Sequence, residues 1–367
     1  MQRKRPPFRA DHVGSLLRPP ELKDVRAKRE RGEIDAAALK AVEDRAIRDV
    51  IKKQEDVGLQ AITDGEFRRS FWHYDYLGGI DGVEIFTPEK GLAFKGATLR
   101  PISLRLTGKV GGFSGHPMLE HFKFVRDNTK RTPKMTIPAP SALHFRGGRE
   151  TVSEKIYPDM AEFYRDLGQA YRKAVKAFAD GGCRYLQLDE VYLVYLCDPE
   201  LREFVRKRGE DPDELMHIYA DLINTAMADA PADMTITMHL CRGNFRSTYM
   251  ASGGYEPVAD VLFNKINVHG YFMEYDTARA GGFEPLRFVP KNKTVVLGLV
   301  TSKSGRLESK DEIERRIEEA AKFVDIDQLC LSPQCGFAST EEGNLLAEDE
   351  QWAKLKRVIE IADEVWG

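Results

Sequence analysis

The feature that most constrains this chain is a recurring unit: a short apolar burst that ends at once in polar or metal-capable residues. The bursts fall at 59–63, 135–138, 184–188, 234–238, 266–272, 294–299 and 328–331, and a first strand near 8–13 is counted with them. Runs this short, lacking polar alternation, read as strands buried on both faces. Amphipathic segments separate many of them. One follows Asp35, a side chain suited to cap a helix, carries Leu39, Val42, Ala46, Val50 and Val57 at helical spacing, and stops at Gly58. A second begins near Tyr157 and ends at Gly181-Gly182. A third opens with the capping box Ser309-Lys-Asp-Glu312 and continues through Ile313, Ile317, Ala320 and Val324. A fourth runs from Trp352 to Trp366. Strands alternating with helices predict parallel pairing through crossover helices. About eight such units predict an α/β fold of the (β/α)8 TIM-barrel type, with a doubly wound open sheet as the alternative. The stretch from about 82 to 111 breaks the rhythm, alternating Thr98, Arg100, Ile102, Leu104 and Leu106 like an inserted β-hairpin. The expected organisation is one elaborated domain over 1–367 carrying that insertion.

Composition excludes several classes. With 42% hydrophobic and 31% charged residues, the chain can bury a large core. Its 55 basic and 58 acidic residues leave a net charge of −3, which does not favour nucleic acid as a partner. No apolar run approaches the ~20 residues of a membrane helix, and the basic opening segment has no apolar stretch of the secretory kind. A cytoplasmic protein with no membrane partner is expected. Five scattered cysteines (183, 197, 241, 330 and 335) argue against a disulfide framework and for metal binding or catalysis where they sit among polar residues. Cys183 and Cys330 lie in or beside apolar bursts and read as core.

The burst ends carry the chemistry. They offer His12, Gly14 and Ser15; Asp64 and Glu66; Asp189 and Glu190; His239 and Cys241; Glu274 and Asp276; Thr301 and Lys303; and Cys335. In a parallel barrel these ends share the face where active sites lie. His239 and Cys241, two residues apart, can point the same way, and Glu274 and Cys335 come from other strand ends. Imidazole, thiolate and carboxylate together suit Zn2+. The alternative is that Cys241 is a small core residue and His239 a hydrogen-bonded one. A zinc site with one displaceable ligand would turn a thiol into a thiolate nucleophile. Glu66 and Asp189, with the backbone near Ser15, would suit the charged groups of an amino acid, or else would pair with Arg68 and Arg69 or cap helices.

These residues occur in HVGSLLRP (12–19), ITDGEFRR (62–69), LQLDE (186–190), MHLCRGNF (238–245), YFMEYD (271–276), GLVTSKSG (298–305) and LSPQCGF (331–337). Together they resemble the catalytic C-terminal barrel of the cobalamin-independent methionine synthase family, in the family's order and across the whole chain. The resemblance implies zinc on His239, Cys241, Glu274 and Cys335, with amino-acid binding by His12, Ser15, Glu66 and Asp189. It implies methyl transfer to the thiol of homocysteine from a methylated folate; a methylated corrinoid is the other donor to be considered. Departures are visible. The chain lacks the second barrel of the long synthases, and Lys303 stands where they carry a catalytic histidine. The aromatic that would stack on a pterin has only His144 and Phe145 as candidates. Lys303 and Asp189 are the expected catalytic groups, and the run Phe71-Trp72-His73-Tyr74-Asp75 could face the donor. Three other readings are a zinc alkyltransferase acting on coenzyme M, a metal-free decarboxylase resembling uroporphyrinogen decarboxylase, and a zinc-bound scaffold without catalysis.

Overall fold

In the computed structural model, which describes residues 3–89, 93–94, 97–98, 101–113 and 115–367, seven of the eight expected strands form and run parallel, whereas 8–13 contributes only an isolated bridge at Ala10, its Arg9, Asp11 and His12 being drawn into side-chain contacts. The parallel strands are β1 (Ala61–Ile62), β4 (Thr132–Pro133), β5 (Met135–Pro138), β6 (Tyr185–Glu190), β7 (Thr235–Leu240), β8 (Gly270–Glu274), β9 (Thr294–Val300) and β10 (Leu329–Pro333). An antiparallel pair, β2 (Val83–Phe86) and β3 (Ser103–Leu106), lies between β1 and β4 in sequence. Strands β10-β9-β8-β7-β6-β5 hydrogen-bond in that order. Beyond β5, across the single residue Lys134, β4 pairs in parallel with β1. At the far end Ala10 forms a parallel bridge to Leu331 of β10. The segment around Ala10 and β1 are joined mainly by side chains: His12 Nε2 lies 3.0 Å from the Ala61 carbonyl, and Thr63 Oγ1 donates to the Gly14 carbonyl at 2.7 Å.

The strands are buried on both faces, which explains their unbroken apolar character: every residue of β6, β8, β9 and β10 is buried. One face packs on helices. The other collects Phe8, Val13, Ala61, Tyr185, Phe272, Val296 and Cys330 into a small separate cluster. Because strand side chains alternate, the residues two and four positions beyond Tyr185, Gln187 and Asp189, lie on that same second face, nearer the strand end.

Helix signals hold where they are strongest. Asp35 accepts from the Ala38 N–H at 2.8 Å and opens the helix Ala36–Val57, which Gly58 closes at φ 111°. Ser309 caps the helix Lys310–Ala320, which stops before Val324. The structure adds the helices Pro20–Glu30, Pro117–Asn128, Pro199–Lys207 and Pro212–Met227. One of these, Pro20–Glu30, buries only Leu22 and carries almost no apolar period. Conversely, between β8 and β9 the chain makes only short 3-10 turns, Ala278–Ala280 and Glu284–Phe288, in place of an α-helix. The hairpin is present as β2–β3, with a shorter pair at 93–94 and 97–98. Arg100 lies outside the described residues. No helix among the described residues is long and apolar enough to cross a membrane.

The interior also encloses a charge pair with fully inaccessible side chains, Lys134 and Asp11, 3.3 Å apart. Asp11 additionally accepts from the Phe8 and His12 N–H groups and from the Tyr185 hydroxyl, and the Lys134 ammonium lies 4.1 Å from the Phe272 ring centroid. Breaking such a pair leaves one uncompensated buried charge, at a cost of about 3–5 kcal/mol. Lys134→Met is expected to lose that much stability, read from the urea midpoint, and Lys134→Met with Asp11→Asn distinctly less.

Candidate metal centre and substrate cavity

Strand register brings the predicted groups together. Asp189 of β6 lies opposite His239 of β7, and His239 lies opposite Phe272 of β8, two residues before Glu274. Cys241 follows β7 by one residue, on the same side as His239. Cys335 follows β10 by two, and its approach depends on Gly298 of β9: a Cβ there would sit 2.8 Å from Gln334 Cα and 2.8 Å from the Met273 carbonyl. The result is that one donor atom from each of His239, Cys241, Glu274 and Cys335 lies within 4.8 Å of the others, all four residues buried.

These side chains have few competing partners. Both ring nitrogens of His239 are buried without a hydrogen bond. Cys241 and Cys335 are free thiols with sulfurs 3.5 Å apart, far beyond the ~2.05 Å of a disulfide. The hydrogen bond between the two sulfurs holds the Cys335 thiol well below its ordinary pKa against the opposing effect of burial, with the His239 charge helping. The same hydrogen bond, with burial, pushes the Cys241 thiol well up. Burial pulls the His239 imidazole down, but Cys335, Asp189 and Glu274 more than offset it. The Glu274 carboxylate accepts from Gln334 Nε2 at 3.0 Å and faces Arg279 at 3.5 Å, while its backbone N–H donates to the Tyr255 hydroxyl at 2.9 Å. Four buried donors, two of them soft sulfurs, with an unpartnered imidazole, form a set that could hold a metal ion.

The cluster opens into a cavity of about 620 Å³, counted to its open mouth, lined in part by Ser15, Glu66, Arg69, Asp189, His239 and Cys335. Burial pushes the Asp189 carboxyl up to about 7 even though His239 pulls it down, and Gln187 donates to it at 2.8 Å. Burial likewise raises Glu66, opposed by its ion pair with Arg69. Glu66 sits at φ 60°, an unusual backbone for a non-glycine residue. Ser15 is buried at the wall and accepts from the Ala338 N–H at 3.3 Å.

Several expected residues sit elsewhere. His12 does not line the cavity; its imidazole joins the first segment to β1, and burial lowers it to about 4. Lys303 donates to the Thr248 carbonyl at 3.2 Å and borders a neighbouring recess with Asp276 and Arg279, so its ammonium is engaged by backbone. His144 and Phe145 turn away: His144 packs with Tyr219 and Glu210, and Phe145 stacks on Tyr192 at 5.0 Å. The aromatic run does reach the cavity through Phe71, Trp72 and His73. Arg146, Tyr195, Asn244 and Phe245 also line it. Sequence reading misses them, because a single polar or aromatic residue in a loop carries no periodic signal.

Residues 8–364 match the catalytic domain of the cobalamin-independent synthases. The chain belongs to this family. It is 52% identical to the uncharacterized Bacillus subtilis protein YxjH, over 100% of the chain and 96% of that protein. To a Pyrococcus abyssi methionine synthase it is 26% identical over 88% of the chain and 84% of that enzyme. Among solved structures, the Listeria monocytogenes protein assigned as a vitamin-B12-independent methionine synthase is 40% identical, with full coverage of both chains and a TM-score of 0.79. A B12-independent methionine synthase from a Shewanella species, solved with selenomethionine, shares the fold at a TM-score of 0.66, 18% identity and 96% coverage of each chain.

Gly14 gives a test of how tightly the cavity wall is built. Its φ is 139°, and an added Cβ would lie 2.6 Å from Glu66 Oε1 and 3.0 Å from Thr136 Oγ1. Gly14→Ala is expected to cost about 1–3 kcal/mol through backbone strain, seen as a lower thermal midpoint, and to displace the Glu66 carboxylate in a crystal structure.

Proposed function

We propose that this family member is a zinc-dependent S-methyltransferase that converts homocysteine to methionine. The observation that carries the reading is the buried His239, Cys241, Glu274 and Cys335 cluster beside acidic residues in one cavity. The donor set suits zinc: nitrogen, oxygen and two sulfurs, with the sulfurs 3.5 Å apart, where tetrahedral coordination with ~2.3 Å zinc–sulfur bonds requires ~3.8 Å. A zinc ion bound there supplies a thiolate nucleophile at neutral pH from an incoming thiol. The unpartnered His239 nitrogens support a role as ligand. The same reading takes the strand segments as a closed (β/α)8 barrel, supported by the Ala10–Leu331 bridge and the likeness to the Listeria structure.

The chain's own residues then divide the work. Glu66 and Asp189 offer carboxylates to the substrate ammonium, and Ser15 borders the same end. Asp189, with a carboxyl pushed up to about 7, is poised to take up the thiol proton. Glu274 would be the ligand best placed to loosen from a bound metal, because Gln334 and Arg279 already hold its carboxylate. The methyl group passes to sulfur while the donor's leaving atom keeps the bonding pair. Donors to be screened are methylated folates and methylcobalamin. The coenzyme M alternative is not favoured by the family match, and that thiol carries no ammonium to meet Glu66 and Asp189. Five free cysteines accord with a cytoplasmic setting.

Metal analysis by mass spectrometry and calorimetric titration with homocysteine test the reading. Cys335→Ser is expected to weaken zinc retention by more than the roughly 10–100-fold caused by losing a residue that merely orients a ligand, and to abolish homocysteine binding. Glu66→Gln is expected to keep its zinc and bind homocysteine about 30-fold more weakly, or ~2 kcal/mol, at the low end for removing one partner of a buried charge contact. Undiminished homocysteine affinity in a zinc-free Cys335→Ser protein would overturn the proposal.

A further inference from the structure

Two arginines line the cavity, and their surroundings differ. Arg69 is saturated: it pairs with Glu66 and donates to the carbonyls of Ser339 and Ala338. Arg146 is not. Its Nη1 makes two long contacts, 3.3 Å to His73 Nε2 and 3.4 Å to the Tyr74 hydroxyl. Its Nε is buried without a partner, and the guanidinium lies 5.8 Å from the Tyr192 ring centroid. Among the described residues no carboxylate pairs with it. The acids of the same cavity are engaged otherwise, Glu66 by Arg69 and Asp189 by Gln187.

A guanidinium stays charged and presents five N–H donors in a planar fork matched to a carboxylate or phosphate. Arg146 is half-buried with only neutral protein contacts, so an opposite charge arriving with a ligand would be its ionic partner. The supports of Arg146 hold it without neutralising it. His73 is kept neutral by burial and by the nearby arginines, so its Nε2 can accept from Arg146. The His73 ring is itself stacked against Trp72, with centroids 4.3 Å apart. An unneutralised cation on an aromatic wall, facing the same cavity as the metal-capable cluster, has the form of an anchor.

We propose that Arg146 binds an oxyanion, a carboxylate or a phosphate, carried by a substrate in this cavity. The inference rests on the reading of the cavity as the substrate site. Two sources share this chemistry: the carboxylate of the amino-acid thiol and an acidic group on the methyl donor.

The test compares zinc-loaded wild type with Arg146→Met and Arg146→Lys by calorimetric titration against four probes. These are homocysteine, its decarboxylated analogue 3-aminopropanethiol, 5-methyltetrahydrofolate and inorganic phosphate. If the thiol substrate is the source, Arg146→Met weakens homocysteine by about tenfold or more, the loss of one charged contact, and leaves 3-aminopropanethiol unchanged. If the donor is the source, homocysteine is unaffected and the folate or phosphate weakens to the same degree. In both cases Arg146→Lys recovers part of the loss, and the thermal midpoint of Arg146→Met stays level or rises, since an uncompensated cation has been removed. Equal affinity of wild type and Arg146→Met for all four probes, or a fall in the thermal midpoint with no selective loss of anionic ligands, overturns the proposal. Zinc content and the visible spectrum of the cobalt-substituted protein on adding homocysteine, measured on the same samples, report separately on the metal reading.

Discussion

Parallel pairing in a fixed register is the constraint on which the rest depends. Because β5 through β10 run the same way, their carboxyl ends finish at one edge, and groups distant in sequence meet there. Asp189 stands opposite His239, and His239 opposite Phe272, which places Glu274 one alternation further along the same face. A slip of one residue would turn these side chains toward the helices. The apolar layer of Tyr185, Phe272, Val296 and Cys330 beneath them opposes such a slip, since it would have to leave its own packing at the same time.

That arrangement concentrates ionisable groups where water is scarce. Burial raises Asp189 and Glu66, and a hydrogen bond joins the two cysteine sulfurs. Both His239 nitrogens are buried without a partner, and a metal ion could engage all four donors together. Around it, Gln334, Arg279 and Tyr255 fix the Glu274 carboxylate and backbone. The polar cost of the site is thus met locally, by residues that reach it from the strand ends and their loops.

Legibility in the sequence follows periodicity and chemical rarity. Buried strands are readable because both faces exclude water, leaving unbroken apolar runs, and Asp35 and Ser309 mark helix starts through their capping chemistry. The helix Pro20–Glu30 is invisible because it buries Leu22 alone. His239, Cys241 and Cys335 stand out because few side chains combine metal affinity with a strand end. His12 stands out for the same reason, yet its ring faces the Ala61 carbonyl. Gln334 and Arg146 give no signal, since an amide or a cation in a loop acquires meaning only from what it faces.

The sequence by itself determined the parallel α/β class, the family, and the chemical kinds of group available at the strand ends, because these depend on local periodicity and on residue identity. Only the tertiary structure decided which of those groups share a cavity. It turned Lys303 to the Thr248 carbonyl, set the His12 ring against the Ala61 carbonyl, and left Arg146 without a carboxylate among the described residues. The physical reason is that side-chain partnership is a matter of distances between chain segments far apart in sequence, and those distances are fixed by strand order and loop path.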